Sequence, residues 1–263
     1  MKQVTCQGLA HQFPGTGWLF TGLDVTLSPG EVVAVVGPSG SGKSTLLSVL
    51  AGWLEPNLGS VTRAGVEHTG WVFQNPVGVA GRSALDHVVL PLLTRGWPRG
   101  RAVPEALGIM GRFGLDEVAG RRFRELSGGE AQRLMLARAV AASNDLLLVD
   151  EPTAQLDMAT AASVNRVLAN VAQDDVMVVV ATHDPHTRDA CTRVIDLADY
   201  QGGNLNVGCT AGVSAAAAEA GDSAPPGVAT GPELLPSARR LLPVPHPLAA
   251  SWLPPSQAGR GVS

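Results

Sequence analysis

The run Gly37-Pro38-Ser39-Gly40-Ser41-Gly42-Lys43-Ser44-Thr45 constrains this chain more than any other stretch, because it fits G-x-x-x-x-G-K-[ST], the pattern of a phosphate-cradling loop. Lys43 is one of only two lysines, against 17 arginines, so abundance does not explain its place in that frame. Such a loop must leave a strand and enter a helix. Val32-Val33-Ala34-Val35-Val36 is a short β-branched run that predicts a buried parallel strand, and Thr45 to Ala51 reads as a helix closed by Gly52. The glycines let the backbone turn sharply with successive N–H groups pointing inward, and the helix N-terminus adds roughly half a positive charge. Lys43 brings a full charge to the β- and γ-phosphates, worth about 4 kcal/mol at about 4 Å and an effective dielectric of about 20, before desolvation. Ser44 is placed to offer its hydroxyl to Mg²⁺.

Strand–helix alternation recurs further on. Glu130 to Ala142, Leu146 to Val149, Ala159 to Ala172, Val176 to Ala181 and Val194 to Leu197 alternate helical and strand periodicity, which implies a mainly parallel sheet covered on both faces. The predicted fold is α/β, a P-loop NTPase core. Residues 1 to about 31, and again about 59 to 73, read as short strands joined by Gly-rich turns and predict a small antiparallel sheet beside the loop. Helical spacing in Leu85, Val88, Val89 and Leu92, and then in Val103, Leu107, Met110 and Phe113, predicts an inserted helical subdomain over about 82–125, broken at Gly96-Trp97-Pro98.

Residues 1–205 are thus expected to form one domain. Residues 206–263 hold 9 Pro, 7 Gly and 12 Ala with three acidic and three basic side chains, and are expected to be a disordered tail, Leu234 to Leu242 being its one apolar patch. Net charge is −4 and no long basic block occurs, which argues against nucleic acid as a partner. Arg121-Arg122-Phe123-Arg124, the densest basic cluster, reads as a solvated face. Cys6, Cys191 and Cys209 lack metal-ligand spacing and fit a reduced cytoplasmic setting. No window reaches the roughly 18 apolar residues of a membrane span, and no signal peptide is evident, so the chain is expected not to cross a membrane by itself.

Two further stretches carry chemistry. Strand Leu146 to Val149 ends in Asp150-Glu151: beside a phosphate loop, Asp150 is suited to hold Mg²⁺ and Glu151 to take a proton from an attacking water. Leu126-Ser127-Gly128-Gly129-Glu130 precedes a helix, giving a second set of free N–H groups and a hydroxyl aimed at an anion. One nucleotide needs only one such cradle, so the second is surplus within a single chain.

These elements together resemble the nucleotide-binding subunit of ATP-binding cassette (ABC) transporters over about residues 1–205. The phosphate loop, Gln74 in Trp71-Val72-Phe73-Gln74, the LSGGE signature at 126–130, Leu146 to Asp150, Glu151, Asp157 in Ala154-Gln155-Leu156-Asp157 and His183 in Ala181-Thr182-His183-Asp184 occur in that family's order. The resemblance implies ATP and Mg²⁺ as ligands. It also implies a head-to-tail dimer, homodimeric or with a paired cassette, in which Ser127, Gly128, Gly129 and Asp157 of one subunit complete the site of the other. It further implies that Ser44, Gln74 and Asp150 serve the metal, that Glu151, His183 and Gln74 act in hydrolysis, and that an aromatic stacks on adenine, Phe13 or its rival Trp18. Asp157 also reads as the N-cap of the helix starting at Met158.

The implied partner is an integral-membrane permease docked near Gln74 and residues 76–100, with the subunit peripheral on the cytoplasmic face of the cell membrane. The alternative is a non-transport ABC ATPase, regulatory or scaffolding as in cell division, or acting in DNA repair or translation. Only 30 residues separate Lys43 from Gln74, which implies a trimmed antiparallel hairpin. Ala84 to Leu93 together with LSGGEAQR look most like cassettes of lipoprotein-releasing and macrolide- or peptide-exporting systems.

Overall fold

A computed structural model describes residues 2–154 and 156–201. In chain order the elements are β1 (Gln3–His11), β2 (Phe20–Leu27), β3 (Val32–Val36), α1 (Lys43–Ala51), β4 (Leu58–Ala64), β5 (Thr69–Val72), α2 (Ala84–Thr94) and α3 (Arg99–Arg112). They continue with α4 (Gly128–Ala142), β6 (Leu146–Asp150), α5 (Met158–Gln173), β7 (Met177–Ala181), α6 (Pro185–Asp189) and β8 (Arg193–Asp196). Five strands form one sheet in the order β5-β6-β7-β3-β8, with every neighbouring pair parallel, and β2-β1-β4 form a separate antiparallel sheet.

Period-2 alternation sorts the sheet residues between two cores. In β7, Val178 and Val180 belong to the core that also takes in residues of α2, α3, α4 and α5, whereas Met177, Val179 and Ala181 belong to the core built with α1 and the antiparallel sheet. Leu147 and Val149 of β6 face the first core, and Leu146 and Leu148 the second. Burying each such side chain contributes about 1.5–3 kcal/mol, which is why these strands read as unbroken apolar runs rather than as alternating ones.

Two expectations are corrected. The 59–73 stretch does not belong wholly to the antiparallel sheet: β4 pairs with β1, but β5 pairs in parallel with β6. The turn at Gly65 separates two strands that serve different sheets, and strand spacing does not say which partner a strand takes. In α3 the buried stripe is Ala102, Ala106, Ile109 and Met110, while Leu107 is exposed. Small alanines mark the closely packed face there, so ranking positions by bulk put Leu107 on the wrong side. Phe123 packs against the first core and Arg121 and Arg124 are largely exposed, so that basic cluster is a solvated face with one apolar anchor. Burial pushes the Cys6 thiol up to about 12 and that of Cys191 to about 11, which leaves both as structural thiols. No helix among the described residues is long and apolar enough to cross a membrane. The tail expected at 206–263, with its Leu234 to Leu242 patch, lies outside the described residues.

Candidate functional site

The site forms where β3, β7 and β6 end, because parallel strands deliver their following loops to one edge of the sheet. Ala181 is in register with Val35 on one side and with Asp150 on the other, so the loops after these three strands converge. The loop after β3 enters α1 through Gly42, whose φ of 95° only glycine adopts readily; a Cβ there would also lie 3.0 Å from Leu19. Lys43 donates to the carbonyls of Gly37 at 2.9 Å and Pro38 at 3.2 Å, so its ammonium is held across the loop's own mouth.

Ser44 Oγ donates to Asp150 Oδ2 at 2.7 Å, joining the first turn of α1 to the end of β6 across the intervening β7. Burial raises the Asp150 carboxyl above the usual carboxylate range. The Ser44 hydrogen bond opposes that rise, the charge of Glu151 adds to it and Lys43 again opposes it. A half-buried carboxylate paired with a hydroxyl is a hard-oxygen donor set of the kind Mg²⁺ takes when substrate phosphates supply the remainder. Among the described residues no group of three or more His, Cys, Asp or Glu is placed to hold a metal alone, so these two residues are the protein's fit to that ion.

Glu151 adopts φ 48°, a left-handed conformation uncommon outside glycine, with its N–H donating to Ala181 O at 2.9 Å. The turn swings its side chain back over β7: Oε1 lies 2.7 Å from His183 Nδ1, and Oε2 accepts from Thr182 Oγ1 and from the His183 N–H, each at 3.4 Å. Opposite a carboxylate, Nδ1 carries the hydrogen.

A cleft of about 660 Å³ collects Gly37, Pro38, Ser39, Gly40, Gly42, Lys43, Ser44 and Thr45 with Gln74, Asp150, Glu151 and His183. Phe13 and Leu19 also line it; Phe13 is 43 % exposed, and Trp18 does not line the cleft. Ser41 sits behind the loop, its buried Oγ without a partner.

The second anion-seeking set is elsewhere. Ser127 caps α4, its Oγ accepting from Glu130 N while Glu130 Oε2 accepts from Ser127 N, and neither it nor Gly128 or Gly129 lines the cleft. Asp157 caps α5 by accepting from Thr160 N and Oγ1, bonds that hold its carboxyl below the usual range. The capping role is therefore the one seen within a single chain.

Sequence reasoning did not pick out Leu19, Thr182, Gln132 or His87. Leu19 is one apolar residue among many, and the other three are polar residues whose burial only the fold reveals.

The family profile described as ABC transporter matches residues 20–154. The chain belongs to the ABC transporter family. This ABC cassette is 36 % identical over 214 residues to the macrolide export ATP-binding/permease protein MacB of Rhodopseudomonas palustris strain BisB18, covering 74 % of this chain but only 33 % of that protein. It is 37 % identical over 201 residues to the lipoprotein-releasing system ATP-binding protein LolD of Chromohalobacter salexigens, covering 69 % of this chain and 85 % of that one. Among solved structures, a dimeric post-hydrolysis state of the ATP-binding cassette MJ0796 bound to ADP and Pi superposes with a TM-score of 0.65 at 27 % identity, covering 73 % of this chain and 93 % of that one. Its relatives thus include cassettes of export and lipoprotein-releasing systems, and the chain spans about a third of the length of the MacB proteins it matches.

Proposed function

We propose that two copies of this cassette, or this cassette and a paired one, close head to tail around two Mg-ATP and so drive an integral-membrane permease of exporter type from the cytoplasmic face. The carrying observation is the separation of the two anion-seeking sets: Ser127, Gly128 and Gly129 stand outside the cleft that holds Lys43. Among the described residues, no backbone carbonyl takes up the Gly128 and Gly129 amides, since the first helical bond of α4 runs from Ala131 to Ser127. A second chain supplies what the cleft lacks, and Asp157 faces that partner from the cap of α5.

In this reading ATP lies with its base on Phe13 and its phosphates in the loop. Lys43 gives up the Gly37 and Pro38 carbonyls for the β- and γ-phosphates. Ser44 and Asp150, together with Gln74, would hold Mg²⁺. Bound there, Mg²⁺ would supply charge neutralisation at the phosphate oxygens and the leaving group. Glu151, oriented by His183, takes a proton from water as the water oxygen bonds to the γ-phosphorus and the bond from that phosphorus to the bridging oxygen breaks. General-base assistance of this kind contributes about 10²- to 10⁴-fold. His183 also faces the γ-phosphate, and Gln74 orients the water.

Support for a permease surface comes from the ground next to Gln74. Trp53, Trp71 and Phe73 stack in a row with centroids 4.6 and 5.5 Å apart, and Trp53, Phe73, Val77 and Leu90 are exposed. Trp71, Phe73, Val77 and Leu90 line a groove of about 590 Å³ between β5, α2 and α4. Exposed aromatic and aliphatic groups clustered in this way mark a protein-binding surface. The test of the closed dimer is Glu151→Gln, which keeps the donor set of the cleft but removes the base. With Mg-ATP its mass by light scattering should be twice the 27.1 kDa of one chain, and a strictly monomeric Glu151→Gln at saturating ATP would overturn the reading.

A further inference from the structure

Gln132 is 3 % exposed, in the second turn of α4, five residues beyond Ser127. Its Nε2 donates to Phe73 O at 3.3 Å. That carbonyl belongs to the peptide joining Phe73 to Gln74, so the side chain grips the backbone of Gln74 itself. The opposite carboxamide atom, Oε1, is buried with no partner. The orientation is fixed by chemistry, since only the NH₂ end can face a carbonyl. A buried acceptor left unpaired is destabilising, and an apolar side chain of the same length would fill the space without that penalty. Stability of the fold therefore does not account for an amide here.

The far end of the same segment is tied in a comparable way. His87 of α2 is 4 % exposed; its Nε2 accepts from Val79 N at 2.9 Å and its Nδ1 faces Ser83 O at 2.7 Å. The N–H groups of Phe123 and Arg124 donate to the carbonyls of Arg82 and Ala80. The stretch after Gln74 thus hangs between two buried side chains, one on the signature-bearing helix and one on α2.

We propose that Gln132 is a positioning residue for Gln74. Through one hydrogen bond it makes the placement of Gln74 in its own ATP cleft depend on the placement of the helix whose first residues complete the other cleft. A shift of α4 on engagement with a partner's nucleotide moves the Gln74 peptide with it, and the two sites of a dimer are coupled within each chain. This rests on the roles given above to Gln74 and to Ser127–Gly129.

The test uses the full chain and three variants: Gln74→Ala, Gln132→Met and the double substitution. Gln132→Met keeps bulk, removes the donor and removes the orphaned acceptor, so its Tm should be unchanged or higher. ATP affinity by fluorescence titration should stay within about two-fold, and kcat for phosphate release should fall at least about ten-fold. In the double variant kcat should be no lower than in Gln74→Ala, since both changes act through one group. Wild-type kcat in Gln132→Met, with Gln74→Ala impaired, overturns the inference and leaves the reading of Gln74 standing. Wild-type kcat in Gln74→Ala overturns that reading first. Losses that multiply in the double variant show a merely structural Gln132 and also overturn the inference. Gln132→Leu takes the place of the methionine variant if the latter does not fold.

Discussion

Glu151 Oε1 and His183 Nδ1 lie 2.7 Å apart, and the contact exists because Glu151 takes a left-handed turn at φ 48° immediately after β6. A non-glycine residue in that region costs roughly 1–3 kcal/mol, so the fold holds strain at the group assigned the proton transfer. His183→Ala removes the partner that aims the carboxylate while leaving phosphate loop contacts intact. The expected outcome is a loss in kcat of roughly 10²-fold with ATP affinity little changed, read by phosphate release and nucleotide titration. Lost affinity with kcat kept would instead make His183 a binding residue alone.

Asp150 sets function against stability. Burial raises its carboxyl, and a carboxyl raised in the folded state favours the fold most below its unfolded value of about 3.9. That contribution is lost as pH rises through the raised folded value, so at neutral pH the half-buried charge weighs against the fold. Asp150→Asn is expected to raise the Tm of the nucleotide-free chain at pH 7. The gap from the wild type should narrow as pH falls through the carboxyl range. Hydrolysis should drop by roughly a hundredfold or more, the scale of losing a metal-ion contact worth several kcal/mol. A lower Tm at pH 7 would mean that the Ser44 hydrogen bond outweighs desolvation.

Phe13 and Trp18 separate cleanly. Phe13 lines the cleft and meets His11 edge-on with centroids 5.0 Å apart, whereas Trp18 lies outside it. Stacking of a base on an aromatic ring is worth about 1–3 kcal/mol, so Phe13→Ala should raise KM for ATP by roughly 5- to 150-fold with kcat largely kept. Trp18→Ala should leave KM near the wild-type value. The reverse pattern would move the base to Trp18.

Much of this site was legible because its chemistry is local in sequence. The phosphate loop, the Asp150-Glu151 pair and the capped start of α4 each declare themselves within a few residues, through glycine spacing, a strand ending in carboxylates, and Ser127 three residues before Glu130. What was illegible depends on which segments meet. That β5 leaves the antiparallel sheet to pair with β6, that alanines rather than Leu107 face inward on α3, and that Gln132 and His87 are buried against the Gln74 segment are all facts of tertiary packing. No periodicity encodes them, because an exposed glutamine and a buried one look the same in a helix.

The central claim is that each ATP site is shared between two chains, and mixing two inactive variants tests it most directly. Lys43→Ala removes one half of the site and Ser127→Arg the other, so each alone should hydrolyse ATP poorly. A one-to-one mixture forms heterodimers in which the intact Lys43 cleft of one chain meets the intact signature of the other. Random pairing gives about a quarter of the wild-type sites, and a comparable fraction of wild-type phosphate release is the expected result. A mixture no more active than the two variants measured separately, with heterodimer present by affinity-tag pull-down, would contradict the account.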